Sequence, residues 1–311
     1  MDAWGNFWEK GHSTTFGEYY SDGYTQGYIA HWWTAILNSR ETGKLDILEV
    51  GCGNASLLPC LLDQRVKGTY TGVDAAEVVL SEAVKKRANA ELKISLQGGT
   101  GIENFESQQQ YDLIASVYGL EYSPLDQSLP LLKSLLAAKG EANFLMHHAG
   151  SVITQMSAKA LGEFDFDLME SKIARLREID TELNQANGDP SQLQQSSIAQ
   201  QARDSVNEFV SSVMNMEPSE RNPILVDFAR AVLTYFKKLR LSVADREAYI
   251  SGILVDFHSS KERFRQMVEV ARDEQQIQAF EQQLAAAGFS DISVKALLKD
   301  GAPVAWNIKA K

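Results

Sequence analysis

The stretch DILEVGCGNASLL, from Asp46 to Leu58, constrains the chain more than any other. Asp46-Ile47-Leu48-Glu49-Val50 reads as a short buried strand, and Gly51 and Gly53 follow it directly. A helix is expected to start soon after, over about 55–62. Strand, glycine turn and helix in this order make one βα unit, whose turn admits a ligand close to the backbone. Two features argue against a pyrophosphate. Ser56 stands where the dinucleotide fingerprint has its third glycine, and the carboxylate of Glu49 precedes the first. The turn also lacks the lysine of a triphosphate loop. An acid at this place suits a ligand with an ammonium group. Asp74 closes a second strand, Tyr70-Thr71-Gly72-Val73-Asp74, about twenty residues on, where a carboxylate accepts hydrogen bonds from ribose hydroxyls. The ligand implied carries a ribose and a positive charge and needs no phosphate.

The rest of the chain continues the alternation. Strands are expected at 69–73, 92–96, 111–117 and 141–147, and helices at 77–88 and 125–138, the latter closed by Gly140. Strands alternating with helices imply parallel pairing and a doubly wound α/β sheet. After Gly150 the pattern becomes helical almost throughout, as far as about residue 283. Leu168, Ile173, Leu176, Ile179 and Leu183 keep helical spacing, as do Phe228, Val232, Tyr235, Phe236 and Leu239. Such stripes are helix-packing faces. Residues 184–199, rich in Gln and Ser, read as a loop between long helices. A helix at 275–287 with Gly288 at its C-cap, then strands at 292–298 and 304–308, resume the sheet. These last two strands look antiparallel. The organisation expected is an aromatic arm at 1–44, a sheet core from 45–150 and 275–311, and a helical insertion at 151–274 serving as cap or dimer interface. A chain of 311 residues, 44% of them hydrophobic, can bury such a core.

The segment before the first strand holds Trp4, Phe7, Trp8, Phe16, Tyr19, Tyr20, Tyr24, Tyr28, Trp32 and Trp33 among several glycines. So many aromatics need a surface to cover. They form either an arm packed on the core or a lid over a ligand pocket.

Four motifs in order resemble the class I S-adenosylmethionine-dependent methyltransferase family. These are Glu49-Val50-Gly51-Cys52-Gly53, Gly72-Val73-Asp74, the strand Tyr111-Asp112-Leu113-Ile114-Ala115-Ser116, and Gly288-Phe289 ahead of the closing strands. The resemblance implies a Rossmann-like seven-stranded sheet with an antiparallel last strand, the helical insertion following its fifth strand. It implies S-adenosylmethionine as cofactor. Gly51, Cys52 and Gly53 would then approach it through the backbone, Asp74 and Ala75 would hold the ribose, and Glu49 would act near the amino-acid end. Thr100 stands where an acid that contacts the adenine amino group is expected, leaving Gly101 or Ile102 for the ring. Ser116 and Val117 would lie by the methionine moiety.

In an open α/β sheet, ligands lie beyond the carboxyl ends of the strands. That places Tyr118, Glu121 and Tyr122, after the fourth strand, and His147 and His148, after the fifth, at the expected acceptor site. A histidine titrates near neutral pH and is the natural base candidate. Adjacent strand residues point opposite ways, so at most one of the two faces the site. Glu121 suits a cationic substrate, and His12 on the arm is a further candidate. Glu121 and Asp126 alone do not make a metal cluster, so no metal is expected.

The net charge of −11 disfavours nucleic acid, because Lys85-Lys86-Arg87 and residues 235–240, the basic clusters, fall on helical faces. Two cysteines, no secretory leader and no long apolar run point to a cytoplasmic protein with reduced thiols. The expected activity is methyl transfer to an O, N or S atom of a small molecule enclosed by the arm and the helical cap. A protein or tRNA methyltransferase, and a partner subunit that holds the cofactor without turnover, are the alternatives.

Overall fold

The computed structural model describes residues 3–15, 23–40 and 43–311. Phe16, Tyr19 and Tyr20, counted above in the aromatic arm, lie outside the described residues. The chain divides into two compact units, residues 1–156 with 266–311, and residues 157–265.

The first unit is built on a seven-stranded sheet. Helices α1 (Ala3–Glu9) and α2 (Gly27–Asn38) precede β1 (Lys44–Val50). Then come α3 (Leu58–Asp63), β2 (Lys67–Val73), α4 (Glu82–Arg87), β3 (Leu92–Gln97), β4 (Tyr111–Val117), α5 (Leu125–Leu135) and β5 (Leu136–Met146). The order across the sheet is β3-β2-β1-β4-β5-β7-β6, where β6 is Ser293–Lys299 and β7 is Ala302–Ala310. β1 pairs in parallel with both β2 and β4, and β7 runs antiparallel between β5 and β6. Strand order therefore reverses between β1 and β4, which opens a crevice at their carboxyl ends.

Both faces of this sheet are covered. Trp32, Trp33 and Ile36 of α2 pack with Ile47, Tyr70 and Leu113 on one face. Leu129 and Leu132 of α5 join Phe280 and Leu284 of α11 (Glu274–Ala286) against Leu48, Ile114 and Phe144 on the other. Trp32 Nε1 also donates to Asn307 Oδ1 at 2.9 Å, tying α2 to β7.

Three boundaries differ from the sequence reading, each for a local reason. The helix expected from 55 starts at Leu58, because Ala55 adopts φ +62° within the turn. The helix expected over 77–88 shrinks to Glu82–Arg87, capped by Ser81. Residue 79 is held instead by a bond from its backbone N–H to Asn54 Oδ1 at 2.9 Å. The helix expected to reach 138 stops at Leu135, because Leu136 pairs with Tyr111 and is buried there.

The second unit draws on α6 (Val152–Leu161), α7 (Phe166–Gln185), α8 (Ser197–Met214), α9 (Pro223–Phe236) and α10 (Val243–Val270). Asp165, Ser196 and Asn222 cap α7, α8 and α9 with side-chain oxygens. The stripes read from the sequence meet here: Ile173, Leu176 and Ile179 pack with Phe228, Val232 and Tyr235. The expected loop at 184–199 contains a short 3-10 helix, Pro190–Gln195. Within this core Asp180 is buried with Arg246. Arg246 Nε donates to Asp180 Oδ1 at 2.5 Å, and the Tyr235 hydroxyl donates to the same oxygen at 2.9 Å. Asn184 Nδ2 donates to Asp180 Oδ2 at 3.2 Å, and Asn184 Oδ1 accepts from the Arg246 guanidinium. Among the described residues, no helix is long and apolar enough to cross a membrane.

Candidate functional site

The turn after β1 is shaped by what touches it. Gly51 has φ +66°, and a Cβ there would lie 2.6 Å from the Gly119 Cα, in the loop after β4. Only glycine fits so close a backbone crossing. The N–H groups of Gly53 and Ala76 donate to Asp74 Oδ2 and Oδ1, at 2.7 and 2.9 Å. This fixes the orientation of the Asp74 carboxylate.

Asn54 and Ser56 explain the missing third glycine. Asn54 Nδ2 donates to the carbonyls of Trp8 and His12, at 3.0 and 2.9 Å, and Ser56 Oγ donates to that of Ser13 at 2.5 Å. The N–H of Tyr24 in turn bonds to the Ser56 carbonyl at 2.8 Å. A side chain is therefore needed where a dinucleotide turn has glycine: it anchors the arm. The Trp8 ring covers Gly53, whose added Cβ would sit 2.5 Å from Cζ2.

One cavity runs from this turn to the end of β5. Its donor side is lined by Glu49, Gly51, Cys52, Asp74, Ala75, Gly101 and Ile102, with Val117 beyond them. Its other side is lined by Tyr118, Tyr122 and His147, and the arm closes over it with Trp4, Trp8, Thr15 and Tyr24. Glu103 also lines it. The sequence reading missed this acid because it looked for one at Thr100. The 3-10 turn Ile102–Asn104 brings the acid in three residues later.

Six of the candidate residues do not line the cavity. Gly53 lies under Trp8, as described above. Thr100 uses its N–H to bond the Asp74 carbonyl at 2.9 Å, so its role is to hold the loop. Ser116 is buried, donating to the Val50 carbonyl at 2.7 Å and accepting from the Leu120 N–H at 2.9 Å. His148 turns away and stacks on Trp306 at 4.4 Å. Glu121 lies behind the wall, where Oε1 accepts the His147 backbone N–H at 2.8 Å. His12 likewise stays out of the cavity, stacked on Phe7 at 4.3 Å.

The acceptor side is an aromatic wall. Tyr118 stacks on His147 with centroids 4.4 Å apart. Tyr122 meets His147 edge-on, its hydroxyl 3.3 Å from Nε2, and Trp4 meets Tyr122 edge-on at 5.6 Å. Tyr118 has φ +56°, an uncommon backbone for a bulky residue. Its hydroxyl donates to the Val304 carbonyl at 3.2 Å and lies 2.7 Å from that of Tyr28. These contacts hold the ring against the strain. Trp4 Nε1 is tied to Gln266 Oε1 at 2.8 Å.

Burial controls the ionisation of this site. It pushes the Glu49 carboxyl up to about 8, despite the hydrogen bond from the Tyr70 hydroxyl. It pushes Glu121 up to about 7 and His147 down to about 3. Glu121 Oε2 and Arg272 Nε are both buried without a hydrogen-bond partner among the described residues.

These residues fit S-adenosylmethionine. Glu49 is 2% exposed, faces the cavity and has no ion pair among the described residues. A cationic ligand group beside it would favour the charge that burial disfavours. The open backbone at Gly51 and the fixed carboxylate of Asp74 suit a nucleoside.

The sheet order and this glycine turn define a Rossmann-like, nucleoside-binding α/β domain. Residues 47–140 match the family model of a methyltransferase domain. This domain carries the motifs of class I S-adenosylmethionine-dependent methyltransferases, whose cofactor is S-adenosylmethionine. No curated protein matches the chain. Among solved structures it is similar to an S-adenosylmethionine-dependent methyltransferase from Clostridium acetobutylicum, with 23% identity over 40% of this chain and 52% of that one, TM-score 0.33. It is also similar to the citrinin polyketide synthase CMeT domain, with 12% identity over 91% of this chain and 50% of that one, TM-score 0.40. The glycopeptide N-methyltransferase MtfA complexed with sinefungin shows 14% identity over 40% and 56%, TM-score 0.32. The chain thus spans about half the length of these structures. Likeness at this level carries no information about the acceptor.

Proposed function

We propose that the protein transfers the methyl group of S-adenosylmethionine to an O, N or S atom of a small molecule held beneath its N-terminal arm. One observation carries this reading. A single cavity joins the glycine turn and Asp74 to the wall of Tyr118, Tyr122 and His147, and Trp4 and Trp8 close over it. An arm bonded to the turn through Asn54 and Ser56 leaves an enclosed space suited to a compact acceptor.

When bound, S-adenosylmethionine supplies an electrophilic methyl group on a sulfonium. The chain's own part is alignment and the exclusion of water. Asp74 orients the ribose end, and Gly51 lets the backbone approach. Glu49 answers positive charge at the amino-acid end. Trp4 and Trp8 keep solvent out. Tyr118, fixed by two oxygen partners, sets the position of the His147 ring beside the acceptor.

The test is incubation of the purified protein with methyl-labelled S-adenosylmethionine and cell extract, followed by separation of small molecules from macromolecules. Label is expected in the small-molecule fraction and is expected to vanish with Asp74→Ala. Label confined to protein or RNA would overturn the reading. Tight donor binding without any labelled product would make the protein a cofactor-holding subunit instead.

A further inference from the structure

We infer that the methyl acceptor is a basic nitrogen on an apolar or aromatic body, an amine that enters as the free base and leaves as a cation. This deepens the methyl-transfer reading and rests on it. The first observation is the wall itself. Trp4, Tyr122, His147 and Tyr118 form one continuous series of ring contacts, with centroid separations of 5.6, 6.1 and 4.4 Å, and all four line the cavity. Aromatic faces are electron-rich and hold cations as well as apolar groups.

The second observation is charge. The acids lining the cavity are Glu49, Asp74 and Glu103, and no Lys or Arg lines it among the described residues. The residues outside the described set contain no Lys, Arg or His in the sequence, so their side chains cannot add a basic partner. An acceptor carboxylate or phosphate would meet acidic side chains with no Lys or Arg to balance them among the described residues. A neutral acceptor escapes that repulsion, and a cationic product meets a surface of opposite sign.

The third is the balance of the reaction. The nitrogen lone pair forms the new N–C bond while the S–C bond gives its electron pair to sulfur. Positive charge passes from sulfur to nitrogen, and no proton moves in that step. The same electron-rich, acidic cavity therefore serves the charge at the start and at the end. While the donor's charge is present, a second cation is repelled, which favours entry of the nitrogen in its neutral form. The balancing proton is the one the amine gives to water before it enters as the free base, and a basic product that still bears N–H stays cationic at pH 7. A hydroxyl acceptor would instead have to lose a proton inside the site. The histidine on that wall, His147, has its Nε2 engaged by the Tyr122 hydroxyl, and its burial disfavours protonation.

The experiment uses the full chain, methyl-labelled S-adenosylmethionine and the small-molecule fraction of cell extract. The labelled product is passed over a cation exchanger at pH 7, and the retained material is fragmented in a mass spectrometer to locate the methyl group. Retention with the methyl on nitrogen is expected. Flow-through of the label, or a methyl on oxygen, sulfur or carbon, would overturn the inference while leaving methyl transfer intact. Absence of any small-molecule product, with donor binding preserved, would remove the methyl-transfer reading and this one together.

Discussion

Asp180 and Glu49 are both buried acids, 5% and 2% exposed, one in the helical unit and one in the sheet unit. Asp180 is satisfied from within the fold: Arg246, Tyr235 and Asn184 all donate to it. Glu49 accepts from the neutral hydroxyl of Tyr70, has no cationic partner among the described residues, and faces a cavity. A buried charge that is fully paired belongs to the architecture. A buried acid left without its cation, beside an opening, is set for a ligand that brings one.

The largest effect that would separate the two belongs to Asp180→Ala. It strands the Arg246 guanidinium in the core and is expected to cost about 3–5 kcal/mol in urea unfolding. Asp180→Leu combined with Arg246→Met should recover most of that loss. A small penalty for the single change would break the comparison from the architectural side.

Gly51→Ala comes next. The φ of +66° and the 2.6 Å approach to the Gly119 backbone predict a penalty of roughly 1–3 kcal/mol. Cofactor affinity by calorimetry should fall with it. Unchanged affinity would show that the turn tolerates a side chain.

Glu49→Gln sharpens the ligand side. Loss of the charge should weaken S-adenosylmethionine by about tenfold, equivalent to about 1.4 kcal/mol. The pH dependence carries a definite sign. The folded value of about 8 lies above the ordinary 4.5, so the stability Glu49 contributes is present below pH 4.5 and is lost as pH rises through 8. The variant should therefore gain in Tm over the cofactor-free wild type near pH 8 and lose that advantage near pH 5. Cofactor affinity of the wild type should rise between pH 6 and 8, with a flatter profile in the variant. His147 acts in the opposite direction. Its folded value of about 3 lies below 6.5, so its contribution is present above pH 6.5 and is lost as pH falls toward 3.

Tyr28→Phe is expected to be the mildest. It removes the hydroxyl bonded to Tyr118 and should cost about 1 kcal/mol. Its useful readout is a rise in acceptor KM with donor affinity unchanged. Equal effects on both would mean that Tyr118 supports the whole cavity and not its acceptor wall alone.

The donor half was legible because strand, turn and acid are adjacent in sequence, so local rules place Glu49, Gly51 and Asp74. The acceptor half depends on chain far apart: Trp4 from α1, His147 after β5 and Met267 from the end of α10. No spacing rule brings these together. The pair His147-His148 was readable as one inward and one outward residue, but which faced the cavity depended on Trp306, many residues on, offering His148 a stacking partner. Asn54 and Ser56 looked like a broken motif, because their partners are backbone carbonyls of the arm and leave no trace in side-chain chemistry. Glu121 reads as a pocket acid from its position after β4, yet the 3-10 turn Leu120–Tyr122 directs its neighbour Tyr122 to the cavity instead.

The back-to-back contact of Gly51 and Gly119 has a consequence for redesign. Added Cβ atoms at the two positions would lie 2.6 and 2.7 Å from the opposite Cα, so the donor seat and the floor of the acceptor site share one rigid hinge of backbone. Neither loop can be exchanged without reshaping the other. The arm is different, since Asn54 and Ser56 grip it through main-chain carbonyls and are indifferent to its side chains. Grafted arm sequences that keep these main-chain bonds are therefore the natural place to alter the cavity's cover without disturbing the turn.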